Sequence, residues 1–435
     1  MDAPRFYDAR CIHPGNHGAL AVGVEEGTGM SAFTRRERLI VLALAVAVFT
    51  GTLNVYLLTP FLKLIAADFG VSEAAAGQLS TTYALAAGLV GLIVAPLVDR
   101  YQRRRLLYLA VAIISVSTVF TAVAPSFPAL LLAHGLAGFG AAFGASSCFA
   151  IASDAFPDQH KRNRSLGLVI AAGGVSSVIG VPILTQIAAA SSWRWAVAAL
   201  LVPCVVATLL IRVLPSRSLG SRTTFVRDYL ASYRRVLHNH ETRWLYLATL
   251  TLATAETAPL IYSASIWQGL FDLSLESFGW IFLLGGVCYA IGSNLAPVLL
   301  RRRSPREACM LTGGLQFLAA LSFPLVDSSL PAALFVYAGP VVMLSALNVV
   351  ALNVLLQDSL PADRGAVLSL DGTIAKCGTA CAAIFGGIIL AAAGEGAIIP
   401  LINLVLPFTL LAFWRSGQGP GKPALVLETV ETATS

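Results

Sequence analysis

Two side chains carry unusual chemistry for their surroundings: Glu256 and Lys376 each interrupt a long apolar stretch. Glu256 follows Trp244 by twelve residues, and Lys376 follows Arg364 by twelve. At about 1.5 Å per residue, a helix carries both roughly 18 Å from the polar start of its segment, to a common depth. An ionisable group at that depth costs on the order of 2.5–3.5 kcal/mol on insertion scales, so it is a functional candidate by default. Three arrangements are open: a fixed ion pair, a shared role in handling a solute or a proton, or two separate sites. In the second, protonating Glu256 would free Lys376. Asp371 lies five residues before Lys376, about 140° around a helix, so it is expected to face elsewhere and to serve a gate nearer the basic end.

The elements that must position these groups follow from composition. Of 435 residues 57% are hydrophobic and only 12% charged, with a mean hydropathy of +0.77. Soluble domains carry about 25% charged residues, so the chain is read as an all-α membrane protein. Apolar runs between charge clusters give twelve spans, near 37–59, 75–98, 105–124, 128–152, 164–190, 194–214, 244–268, 277–300, 307–326, 331–357, 365–393 and 395–414. Lipid offers the backbone no hydrogen-bond partner, and these lengths suit helices.

Arginine clusters at 35–38, 100–105, 161–164, 217–243 and 301–306, with further basic residues at 364 and 415–422, all fall on one side of this alternation. The opposite loops hold only Lys63 and Arg194. The basic side is therefore expected to be cytoplasmic, with both termini on it. A net charge of +6 then reads as a topology signal rather than as a nucleic-acid footprint. The expected organisation is a cytoplasmic tail over 1–36, a six-helix bundle over 37–214, a polar linker over 215–243, a second bundle over 244–414 and a tail over 415–435. The halves echo one another. Gly91, Ala95, Pro96, Arg100 and Arg105 recur 201 residues later, and Pro157, Ser165, Leu166 and Gly174 recur 204 residues later, which points to a duplicated unit and two pseudo-symmetric six-helix bundles.

The N-terminal residues show no apolar region followed by a small-residue cleavage site, so no signal peptide is expected. Met30, just after Glu25, Glu26 and Gly27, is a candidate alternative start. Six of seven cysteines lie in or beside apolar segments without CxxC or Cys/His metal spacing, and Cys377 and Cys381 read as small packing residues one turn apart.

Between spans 2 and 3, Ala95-Pro-Leu-Val-Asp99-Arg100-Tyr-Gln-Arg103-Arg104-Arg105 resembles the signature of the major facilitator superfamily, with Ala95 and Gln102 in place of its two glycines. The carboxylate and arginines at helix ends form charge-assisted contacts that latch and release the basic side; Asp154 is a further acceptor, and plain positive-inside anchoring is the alternative. In the second half Leu300 stands where the repeat would place the acid, so a second latch is degraded. Span 4, with Gly135, Gly138, Gly140 and Gly144, resembles the family's basic-residue-plus-glycine stretch, but His134 stands where an arginine is usual. It is either a titrating coupling residue or a neutral donor bonded to a neighbouring helix. Span 5, with Gly173, Gly174, Gly180 and Pro182, followed by Ser192-Trp193-Arg194-Trp195, is similar to the glycine/proline motif of the twelve-span drug:proton antiporter and sugar-efflux-like branch. Mechanically these residues shape a kinked, tightly packed helix.

The resemblance implies a monomeric, multi-pass protein of the inner membrane, not an enzyme, that moves a small molecule with protons by tilting two bundles about a central cavity. Uptake or uniport by the same fold, and a sensor that keeps the fold without transport, are the rivals. Among polar residues in spans, Asn54, Tyr262 and Asn348 are the preferred cavity-lining candidates, because the family's cavity is lined chiefly by spans 1, 4, 7 and 10; Tyr56, Tyr83, Gln316 and Asn353 belong to the wider set. No metal or cofactor is expected.

Overall fold

Caps written into the sequence start the helices. Thr34 and Glu37 form a reciprocal capping box on the first span, Arg35–Tyr56, at 2.7 and 3.2 Å. Ser72, Asp158, Asn239, Ser274 and Ser304 accept from the first-turn amides of spans 2, 5, 7, 8 and 9. Gly70, at φ +63°, ends the short helix Leu62–Phe69 in the left-handed conformation that glycine adopts without strain. The computed structural model describes residues 33–215 and 225–418, without the side chains of 95, 96, 98–100, 225–229 and 338. Met30 and both tail ends lie outside the described residues.

The described chain is nearly all helical. Eleven helical segments are long and apolar enough to cross a bilayer. The remaining expected span, His240–Ile261 continued by Ser263–Phe271, carries Thr249, Thr251, Thr254, Glu256 and Thr257 and is too polar for that criterion. It is nevertheless an interior helix, packed against spans 10, 11 and 12. Two of its threonines bond back to carbonyls one turn earlier, Thr251 to Leu247 and Thr254 to Leu250 at 2.8 Å, so these hydroxyls are satisfied within the helix.

The first six spans pack on one another, and so do the last six. The two bundles meet along spans 2 and 11 and along spans 5 and 8. Glycine allows the closest approaches: a methyl group on Gly138 of span 4 would stand 2.2 Å from the Tyr83 carbonyl oxygen of span 2, and one on Gly292 of span 8 would stand 2.3 Å from that of Met343 in span 10. Within the segment 215–243, read as linker, residues Phe225–His238 form a helix. It is tied to the second bundle by Arg235 to Asp363 at 2.7 Å and by Tyr233 to Ser369 at 3.1 Å.

At the end opposite the arginine clusters the bundles are locked together. Tyr262 fills a slot between Gly77 of span 2 and Gly386 and Gly387 of span 11, and donates to the Ala383 carbonyl at 2.6 Å. Gln78 donates to the same carbonyl at 3.3 Å, and Ser265 donates to Glu73.

Candidate functional site

A cavity of about 350 Å³ lies between the bundles, lined from span 1 by Tyr56, from span 2 by Ser80 and Tyr83, from span 7 by Thr249 and Glu256, from span 8 by Tyr289, from span 10 by Asn353 and from span 11 by Asp371 and Lys376. Glu256 and Lys376 therefore share one chamber. They do not form an ion pair within 4.0 Å, so the fixed-pair arrangement is not the one adopted. The Lys376 ammonium instead sits 5.9 Å from the centre of the Tyr83 ring. One oxygen of Glu256 is buried without a hydrogen-bond partner among the described residues.

Asp371 corrects the sequence reading. It lines the same chamber as Lys376 despite their angular separation, and accepts a 2.6 Å hydrogen bond from Thr249. The physical reason is that a chamber walled by six helices exposes a broad arc of each, not a single stripe. The preferred polar candidates also sit elsewhere than expected. Asn54 and Asn348 are buried against helices, away from the cavities, with Asn348 facing Gly313 of span 9. Tyr262 plugs the far end. His134 is buried behind the chamber wall, with its ring 5.2 Å from that of Tyr83. It stands one layer behind Lys376.

A second cavity, about 1210 Å³, joins the first around Tyr56, Glu256, Thr257, Leu260 and Tyr289. It runs between spans 5 and 8 toward their arginine-bearing ends, past Gly167 and Gly174 on one side and Ile291 and Leu295 on the other. Farther from those ends the same two spans are in tight contact: a methyl on Gly279 would stand 2.3 Å from the Thr185 hydroxyl, and one on Gly286 would stand 2.5 Å from Val178. Span 5 passes through a π-helical turn, Ser176–Gly180, just before Pro182, whose missing N–H loosens the helical ladder. Gly173 and Gly180 lie against Thr52 and Leu53 of span 1, and Pro182 against Gly279. Gly174 does not pack as expected: a methyl there would meet nothing within 4 Å, because it faces the second cavity.

Two bundles around a central chamber and a charged segment between spans 2 and 3 match an established pattern: the family profile of the Major Facilitator Superfamily aligns with residues 44–374. The chain belongs to that superfamily. Among curated members it is 24% identical over 373 residues to an uncharacterized MFS-type transporter, YceJ, of Bacillus subtilis, covering 82% of this chain and 92% of that one. It is 27% identical over 161 residues to the multidrug resistance protein Stp of Mycobacterium tuberculosis, covering 37% and 30% of the two chains. Its fold superposes with a TM-score of 0.67 on the crystal structure of a bacterial homolog to the human lysosomal transporter Spinster, inward-facing and unoccupied, at 17% identity over 88% of this chain and 98% of that one. Its relatives are transporters, and the chain is a multi-pass membrane protein of this superfamily.

Of the superfamily signature, Asp99 and Arg100 have side chains outside the described residues. Arg103 pairs with Asp154 and also donates to the Ala150 carbonyl at 3.1 Å, joining span 3 to span 4. Arg104 donates to the Leu214 carbonyl at 3.3 Å, at the end of span 6. Lys161 to Glu37 at 3.0 Å and Arg306 to Glu241 at 3.1 Å are likewise bonds within one bundle. Arg306, the repeat counterpart of Arg105, thus finds an acid at the start of span 7 where Leu300 supplies none. Tyr289 and Thr257 went unnoticed in the sequence; their signal, a polar group near the depth of Glu256, on span 8 for Tyr289 and next to Glu256 on span 7 for Thr257, was there to find only with helix rotations known.

Proposed function

We propose that this member of the superfamily is a secondary active transporter that exports a small organic solute in exchange for protons across the cytoplasmic membrane by alternating access. The observation that carries the reading is Glu256, a carboxylate on the wall of both cavities and outside any ion pair with Lys376. In this reading the arginine-rich end is cytoplasmic, and the conformation is inward-facing, closed outside by Tyr262 and open between spans 5 and 8. Arg103 and Asp154 brace the first bundle while it tilts, with Asp99 and Arg100 as further members of that cytoplasmic latch.

Solute arriving from the cytoplasm meets a protonated Glu256 and displaces its proton, leaving the carboxylate to hold the solute. A proton arriving from outside neutralises it again and releases the solute, so one group alternates between two cargoes. Lys376 holds its positive charge against the face of Tyr83 in the same chamber. His134 supports Tyr83 from behind. The chain acts as a monomer, since each copy contains both bundles and the whole chamber.

The test uses everted membrane vesicles with an imposed proton gradient and a panel of amphipathic solutes. Solute addition collapses the gradient in wild-type vesicles. Glu256→Gln keeps the size of the side chain and removes the titrating proton, so binding without proton movement is expected. Fully proton-dependent transport in that variant would overturn the assignment.

A further inference from the structure

The two cavities differ in chemistry. The smaller holds both signs of charge, with Lys376, Asp371 and Glu256 on its wall. In the larger, Glu256 is the one acidic or basic side chain among the described lining residues, and the rest is mostly aliphatic and aromatic. Glu256 therefore sits at the neck, and Lys376 lies beyond it. The volume of the larger chamber, about 1210 Å³, exceeds the 300–1,000 Å³ of pockets for drug-sized ligands.

Three glycines, 167, 174 and 285, line this larger chamber, and a methyl on any of them would meet nothing within 4 Å. They are not there for close packing; they leave space. Its wall carries exposed aliphatic side chains of spans 5 and 8, Ile170 at 60%, Ile291 at 48% and Leu295 at 43%.

A purely cationic amphiphile would satisfy Glu256 and leave Lys376 facing an ammonium. A purely anionic one would satisfy Lys376 and press its charge on Glu256. Asp371, already accepting from Thr249, does not offset Lys376 with an ion pair. A cargo that answers every wall has three parts in a fixed order: an apolar chain, then an ammonium, then a terminal anion. We propose that the transported solute is a single-chain zwitterionic amphiphile of this order, whose chain lies in the chamber between spans 5 and 8, whose ammonium meets Glu256 and whose anion reaches Lys376. This rests on the transport reading above and adds the substrate class to it.

The test is equilibrium binding to the full chain in lipid nanodiscs, with empty nanodiscs as the partition control. The probes, all below their micellar concentrations, are a dodecyl sulfobetaine, dodecyltrimethylammonium, dodecyl sulfate and dodecylphosphocholine, which carries the two charges in the reverse order. The sulfobetaine is expected to bind about tenfold or more tightly than each of the others. Lys376→Gln should remove the sulfobetaine's advantage, lowering its affinity and raising that of dodecyltrimethylammonium until the two are about equal. Gly174→Leu fills open space, so the folded protein keeps its melting temperature and loses affinity for dodecyl more than for butyl sulfobetaine.

Equal binding of the cation and the sulfobetaine, or an unchanged ratio in Lys376→Gln, overturns the proposal. No gradient is present in the assay, so the two readings fail separately. Sulfobetaine binding with no proton movement in vesicles would overturn the coupling alone. Proton-coupled export of other solutes without sulfobetaine binding would overturn the substrate class alone.

Discussion

The closed end of the molecule depends on one glycine. A Cβ added at Gly77 would lie 2.1 Å from the Tyr262 hydroxyl oxygen, 2.5 Å from Cζ and 2.7 Å from Cε1. Ordinary contact begins near 3.4 Å, so Gly77→Ala demands a displacement of more than 1 Å. The Tyr262 ring cannot supply it by turning. It is fully buried, its far edge rests on Gly386 and Gly387, where added methyls would also come within 2.7 Å, and its hydroxyl is held by the Ala383 carbonyl. The overlap must be relieved between spans 2 and 7, which belong to different bundles. Overpacking a well-packed contact costs about 1–3 kcal/mol, and a differential of that size moves a two-state equilibrium about 5- to 150-fold. Gly77→Ala is therefore expected to populate the state open at this end. Spin labels at Val123 and Leu325, exposed on the two bundles at that end, report the change as a longer distance in double electron–electron resonance, in a background freed of native cysteines. Gly51→Ala, whose methyl meets nothing within 4 Å, is the control and should leave the distribution unchanged. Replacing Tyr262 by Ala in the Gly77→Ala chain should restore the closed distances. A folded Gly77→Ala protein with the wild-type distribution would refute the reasoning.

Two further outcomes concern stability. Arg194 is a hub at the same end, bonded to Asp68 at 3.0 Å and to the Ala122 and Ala124 carbonyls at 3.1 and 3.0 Å, with its guanidinium over Trp193 and Phe69. Because the ion pair is partly solvated, Arg194→Ala should cost only about 1 kcal/mol, seen as a lower melting temperature in detergent. Gly138→Ala should cost about 1–3 kcal/mol, since backbone rather than a side chain stands in the way, whereas Gly167→Ala should leave the melting temperature near wild type. Equal melting temperatures for these two glycine variants would contradict the packing described.

The class of fold and the depth of the charged pair were legible because they depend on counting. Twelve residues of helix bring Glu256 and Lys376 to one level whatever the neighbours do, and hydropathy marks most spans without reference to packing. Rotation about each helix axis is different information. Asn54 and Tyr56 are two residues apart on span 1, yet one is buried among helices and the other lines both cavities. The packing of span 1 on spans 4, 5 and 6 decides that, and it depends on where glycines such as Gly173 and Gly180 let the helices touch. Tyr262 shows the same limit: its depth suited a chamber wall, but the helix break after Pro259 turns it into the slot made by Gly77, Gly386 and Gly387.

Glycine composition alone also hides two opposite uses. At 77, 138, 279, 286 and 292 the missing side chain brings two helices together, and an added methyl would fall within 2.5 Å of a neighbouring atom. At 167, 174 and 285 it keeps a wall back from a void. On spans 5 and 8 the two uses stand side by side, Gly173 against span 1 beside Gly174 at the void and Gly286 against Val178 beside Gly285 at the void, while Pro182 and Gly279 hold the two spans together toward the closed end. A rigid pair of helices joined at one end and parted at the other is a lever, and the π turn at Ser176–Gly180 lies at its fulcrum. Closing the open end must bring Gly167 and Gly174 toward Ile291 and Leu295, which converts spacer glycines into contact glycines. Bulky residues at 167 or 174 should therefore be tolerated in the conformation seen here and block the opposite one.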